Sequence, residues 1–155
     1  MENRYVSAEI DLSAMPPHFS RADLVFEEVD HAGASFEARI FINNAGADRD
    51  TAKAPETGYA GSFNIFGHGG CFGDEGHCDV VPRRAYDPRR AHPLAPVQRT
   101  VIATDAVRRA MSQSAKAVLT VVPVLTGVTA KVDPEVAVLR FDRVSLVAYR
   151  SVTDA

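Results

Sequence analysis

The sequence predicts an all-β fold, an antiparallel β-sandwich that is jelly-roll-like or a partly closed barrel, with one short helix. Apolar and polar residues alternate with a period of two in several short segments, a single segment has helical spacing, and long irregular connections separate the later strands. A parallel α/β sheet needs a crossover helix for each strand, and this chain has too few.

Near the start, "YVSAEIDL" (5–12) and "DLVFEEV" (23–29) are strand candidates. In "SFEARIFIN" (35–43), Phe36, Ala38, Ile40 and Ile42 alternate with Glu37, Arg39 and Asn43, which suits a strand with one buried face. Phe41 interrupts the polar side, so the outer face is expected to be covered as well. "AVLTVVPVL" (117–125) is β-branched enough for a central strand until Pro123 interrupts it. "VAVLRFDRVSLVAYR" (136–150) exceeds an average strand, and Asp142-Arg143 is the natural place for a bend or bulge. Six or seven strands result. In "ATDAVRRAMSQSA" (103–115), Thr104 or Asp105 is placed to cap a helix whose stripe is Val107, Ala110 and Met111, lying across a sheet edge or barrel end. Residues 44–58 have loop chemistry, and "PRRAYDPRRAHPLAP" (82–96) holds four of the nine prolines, the mark of an ordered arm or a partner-binding segment.

The 155 residues suit one domain, 1–155, large enough for a core that needs no disulfide or metal. A hydrophobic content of 46%, a charged content of 24% and a net charge of -3 exclude a nucleic-acid-binding surface of the basic kind. No apolar run reaches membrane-spanning length, and "MENRYVSAEIDLS" has no secretory pattern, so a cytoplasmic address is expected, export with a partner aside.

The chemistry concentrates in "GSFNIFGHGGCFGDEGHCDV" (61–80), which carries two His, both Cys and six Gly. His68, Cys71, His77 and Cys78 form the pattern H-x2-C-x5-H-C, a donor set that suits zinc in a closed site or copper in a softer one. Asp74 and Glu75 add negative charge beside it. The spacing matches no standard zinc pattern, and adjacent His77 and Cys78 point opposite ways in extended backbone. A Cys71–Cys78 disulfide and a plain turn with a buried thiol are the two other readings of the same window. His18, His31 and His92 read as surface residues, with His92 positioned to face a partner. Arg83, Arg84, Arg89 and Arg90, with Asp79 ahead of them and Asp87 among them, read as a solvated mixed-charge loop. No hydrolase elbow, phosphate loop or dinucleotide fingerprint occurs, and no catalytic residue is assigned.

The order "FEARIFINN", "YAGSFNIFGHGG", "TDAVRRAM", "AVLTVVPVLTG" and a closing β-rich stretch resembles the C-terminal domain of polyphenol oxidases and related tyrosinases, from about residue 23 to about residue 150. The resemblance implies a sandwich that packs over the type-3 dicopper site of an oxidase domain and shields it. The chain departs from that family in lacking the four-helix catalytic domain: five His are present, and none are spaced i, i+4 on the predicted helix. "CFGDEGHC" and the Pro/Arg arm also fall outside the pattern. The expected function is therefore a non-catalytic accessory or lid module for a tyrosinase-type catalytic domain or subunit, with copper held or delivered through His68, Cys71, His77 and Cys78. The alternatives are a free-standing metalloenzyme using the same loop, with zinc or copper activating water or oxygen, and a structural sandwich that self-assembles into a homo-oligomer.

Overall fold

A computed structural model describes residues 4–69, 74–81, 84–88, 90, 92–126 and 138–150. The described residues form a β-sandwich with three antiparallel sheets and one α-helix. The strands are β1 (Tyr5–Val6), β2 (Ile10–Asp11), β3 (Arg21–Val29), β4 (Phe36–Ile42), β5 (Tyr59–Ile65), β6 (Val97–Ile102), β7 (Lys116–Ala117), β8 (Leu119–Leu125) and β9 (Arg143–Tyr149). Sheet order is β1-β8-β4-β5 in the larger layer and β6-β3-β9 in the other, with β2 and β7 as a separate pair.

The inward faces follow the period of two. Ala22, Leu24 and Phe26 of β3 meet Phe36, Ala38 and Ile40 of β4, Phe63 and Ile65 of β5 and Val121 of β8 in one buried cluster. Aromatic rings link the layers: Phe26 lies 5.0 Å from Phe63 and 5.3 Å, edge-on, from Phe141, which itself stands 4.9 Å from Tyr5. Along one side β5 runs beside β6, so the sandwich is partly closed there. Ala60 has no partner in the β4–β5 register, and the bulge leaves Gly61 at φ 133°, where a Cβ would stand 2.5 Å from Val101 Cγ1. A side chain at that position would push the two sheets apart at the seam.

Helix α1 (Thr104–Gln113) closes one end, burying Ala106, Val107 and Ala110. Its first turn differs from expectation. Ala103 is the N-cap and neither Thr104 nor Asp105 caps; Thr104 Oγ1 instead accepts the Ala22 N–H at 3.1 Å and ties the helix to β3. The first predicted strand is two short ones, because β1 pairs with β8 while β2 pairs with β7 and the chain crosses between sheets at Ser7–Glu9. β8 runs through Pro123, opposite Ala38 of β4. Its other neighbour, β1, pairs only with Thr120 and Val121, so the missing donor of Pro123 disrupts no described rung on that side. The expected break at Asp142-Arg143 is present: the chain bends at Asp142 and β9 begins one residue later, while residues 136 and 137 of the predicted strand lie outside the described residues.

The outer face at Phe41 is covered, as expected. Phe41, Val122 and Ala47 are buried together with Tyr59 and Val124 packed on them, and Ala47 belongs to the 44–58 loop. Polar staples hold that loop down. Arg39 Nη1 donates to Arg49 O at 2.7 Å, and Glu37 receives Arg39 Nε at 2.9 Å and the Lys53 ammonium. Burial is the largest single influence on Glu37 and pushes its pKa up, but hydrogen bonds from Lys53, Arg39 and Ser62 together outweigh it and hold the carboxyl below its ordinary 4.5. A depressed folded value means that this contribution is complete above the unfolded pKa and is lost as pH falls through the folded one. Glu37→Gln is thus expected to narrow the loss of stability between neutral pH and pH below about 4, read as urea midpoints at the two pH values. An identical acid loss in both proteins would remove Glu37 from the balance.

Candidate functional site

The candidate site is the end of the sandwich where the β3–β4 turn meets the β5–β6 connection. Asp30 Oδ1 accepts the Ala32 N–H at 2.8 Å, an Asx turn that sets His31 at the tip of the first segment. Beyond β5 the backbone continues a short ladder against that turn: the Gly67 N–H meets Ser35 Oγ at 3.0 Å, the His68 N–H meets His31 O at 3.1 Å and the Gly69 N–H meets Gly33 O at 2.8 Å. Gly67 is needed for this approach, because a Cβ there would lie 2.1 Å from Gly33 O and 2.4 Å from Ala34 C. The ladder brings the His31 and His68 rings to 5.4 Å between centroids, tilted by 55°.

Of the four expected ligands, Cys71 lies outside the described residues. His68 is exposed and has His31 as its ring neighbour, a residue that the sequence offered only as a surface turn. His77 Nδ1 is 3.3 Å from Cys78 Sγ, so the adjacent pair does make contact despite the expectation from extended backbone. The reason is a turn: residues 74–78 are not extended, and the His77 N–H bonds to Asp74 O at 3.1 Å. Cys78 is disulfide-bonded, and the sequence contains one other cysteine, Cys71. A sulfur in a disulfide has no thiolate to offer a metal. Among the described residues no group of three or more His, Cys, Asp or Glu is arranged to hold a metal ion.

The neighbouring arm is fastened to this end by histidines. His31 Nε2 is 2.9 Å from Ala95 O. His92 Nδ1 accepts the Leu94 N–H at 3.1 Å, and its Nε2 faces His77 O at 3.3 Å. Asp74, Glu75, Arg84 and Arg90 are exposed, whereas Arg83 and Arg89 lie outside the described residues. Among the described residues of the β5–β6 connection four large apolar side chains are exposed: Phe66 at 85%, Val80 at 39%, Val81 at 71% and Tyr86 fully. Among the described residues no helix is long and apolar enough to cross a membrane.

No protein-family model matches the chain, and a search of curated proteins finds no match. Among solved structures it is similar to a latent aurone synthase, a polyphenol oxidase from natural source, at 13% identity and a TM-score of 0.53. The match covers 94% of this chain and 24% of that one, so this chain spans about a quarter of the oxidase. At this identity the likeness shows a shared fold.

Proposed function

We propose that this chain is a non-catalytic lid module for a type-3 copper oxidase of the polyphenol oxidase kind, seated on a separate catalytic domain through its β5–β6 connection. The observation that carries this reading is the fold match: nearly all of this chain overlays a quarter of an oxidase, which fits a C-terminal module. Support comes from Phe66 and Tyr86, since aromatic side chains held in solvent are the anchors that protein interfaces bury, with the exposed Val81 beside them adding apolar surface. The β-sandwich supplies the rigid base, and the fastened arm would exclude water and substrate from the mouth it covers. The test adds the purified chain to a polyphenol oxidase catalytic domain stripped of its own C-terminal part and follows diphenol oxidation. The lid reading expects dose-dependent inhibition that weakens at least about tenfold in Phe66→Ser, the cost of one interface anchor; undiminished oxidation at saturating chain would reject it.

Copper handling by His68, Cys71, His77 and Cys78 belongs to the same reading in its reduced form only, since ligation needs both thiolates free. Soft thiolates favour Cu(I), the ion of a reducing compartment. The expected result is that Cys71→Ser combined with Cys78→Ser lowers copper loading of the catalytic domain under reducing conditions. Equal loading would leave the lid without a delivery role.

A further inference from the structure

We propose that His31 and His68 together form an open two-imidazole site for one divalent first-row transition ion, with copper(II) the tightest occupant. This goes beyond the lid reading and does not rest on it, because the site belongs to the isolated chain and uses no thiol.

The placement is built into the backbone. Three successive hydrogen bonds, from the Gly67, His68 and Gly69 N–H groups to Ser35 Oγ, His31 O and Gly33 O, fix the two residues opposite each other. Metal–imidazole bonds of about 2.0–2.1 Å put two neighbouring ring centroids roughly 4.5 Å apart at a tetragonal cis angle and roughly 5 Å apart at a tetrahedral one. The observed separation is 5.4 Å, and rotation of the exposed His68 side chain closes the remaining gap.

Protonation is set for ligation at His31. The Ala95 carbonyl 2.9 Å from Nε2 can only accept, so the neutral ring carries its proton on Nε2 and keeps its lone pair on Nδ1. A ring N–H held by a backbone carbonyl is the support that metal-binding histidines use to fix tautomer and orientation. His92 is the counter-example in the same neighbourhood. Its Nδ1 is taken by the Leu94 N–H and its Nε2 by His77 O, so neither nitrogen is left for a metal. Asp30 Oδ1 accepts the Ala32 N–H and so holds the turn that carries His31. With no third protein ligand in a cluster among the described residues, water completes the coordination and the ion is exchangeable. His68 is exposed and gives the ion its entry, while imidazole donors and the Irving–Williams order select copper(II) over zinc and nickel.

The experiment titrates glycine-buffered copper(II) into the oxidised chain, in which Cys78 is held in its disulfide, and reads stoichiometry by calorimetry and nitrogen ligation by electron paramagnetic resonance. One ion per chain with imidazole nitrogens is expected. His31→Gln and His68→Gln are each expected to weaken binding more than about tenfold, at least the loss seen when a supporting partner is removed, while His77→Gln and His92→Gln bind as the parent does. A parent chain that binds no ion overturns the site, as does parent-like affinity in either His31→Gln or His68→Gln. Paramagnetic broadening of the His31 and His68 ring signals in the unsubstituted protein, reversed by chelator, tests the pair without any variant; broadening centred on His77 or His92 instead would reject it. Binding that appears only after reduction would assign the ion to the thiol-containing set and overturn this one.

Discussion

Phe26→Ala is expected to lower the free energy of unfolding by about 3–5 kcal/mol, the range for truncating a buried aromatic side chain. Phe26 is fully buried at the middle of β3 and touches a ring on each side, Phe63 from the facing sheet and Phe141 from the segment that leads into β9. Its removal therefore opens a cavity between layers that rigid strands on both sides cannot collapse to fill. Against a total of about 5–15 kcal/mol for a domain, the loss takes a large share of the stability. Urea unfolding gives the number. A change under about 1 kcal/mol, the size of an ordinary point substitution, would mean that the rings are not the tie between the two sheets.

Gly67→Ala is expected to produce the second large effect, and a local one. The added Cβ would meet backbone atoms of Gly33 and Ala34 at 2.1–2.5 Å, and backbone cannot swing aside as a side-chain tip does. Overpacking of this kind costs about 1–3 kcal/mol, which the chain can escape by releasing the ladder rather than by unfolding. Amide exchange at His68 and Gly69 should rise by at least about tenfold, the equivalent of 1.4 kcal/mol, with exchange in β3 and β4 little changed. Protection of Gly69 equal to that in the parent protein would show that the turn absorbs the methyl group without letting go.

Strand periodicity made β4 legible almost residue by residue, including the covered outer face at Phe41, because each side chain reports its own layer. β5 and β6 were harder. Gly61, Ser62 and Asn64 dilute the apolar signal of β5, and the exposed Gln98 and Thr100 leave β6 without a strand signal of its own until β3 is placed beside it. Pro123 and the helix cap misled for one reason: local propensity assumes a particular set of neighbours, and tertiary pairing supplied different ones. Pro123 has no described β1 partner to disappoint, and the Thr104 hydroxyl is used by Ala22 instead of its own helix. The candidate site was half legible. The His/Cys window announced itself by composition, but His31 is far from it in sequence and is brought there only by the β4–β5 register that pairs Phe36 with Ile65. No local pattern encodes that meeting.

The sheet order has a consequence for how the chain is made. Among the described strands only β4 and β5 pair as neighbours in sequence; β1 waits for β8, β2 for β7, and β3 for both β6 and β9. During synthesis the nascent chain can form that single hairpin early, while Arg21–Val29 stays without a partner until Val97–Ile102 emerges, and its other edge is closed only by Arg143–Tyr149. Long-range pairing of this kind folds slowly, and an unpaired apolar strand is the segment that associates with other chains in the meantime. The same arrangement gives the ribosome-bound chain a long interval in which the apolar residues of β3 have no sheet to cover them.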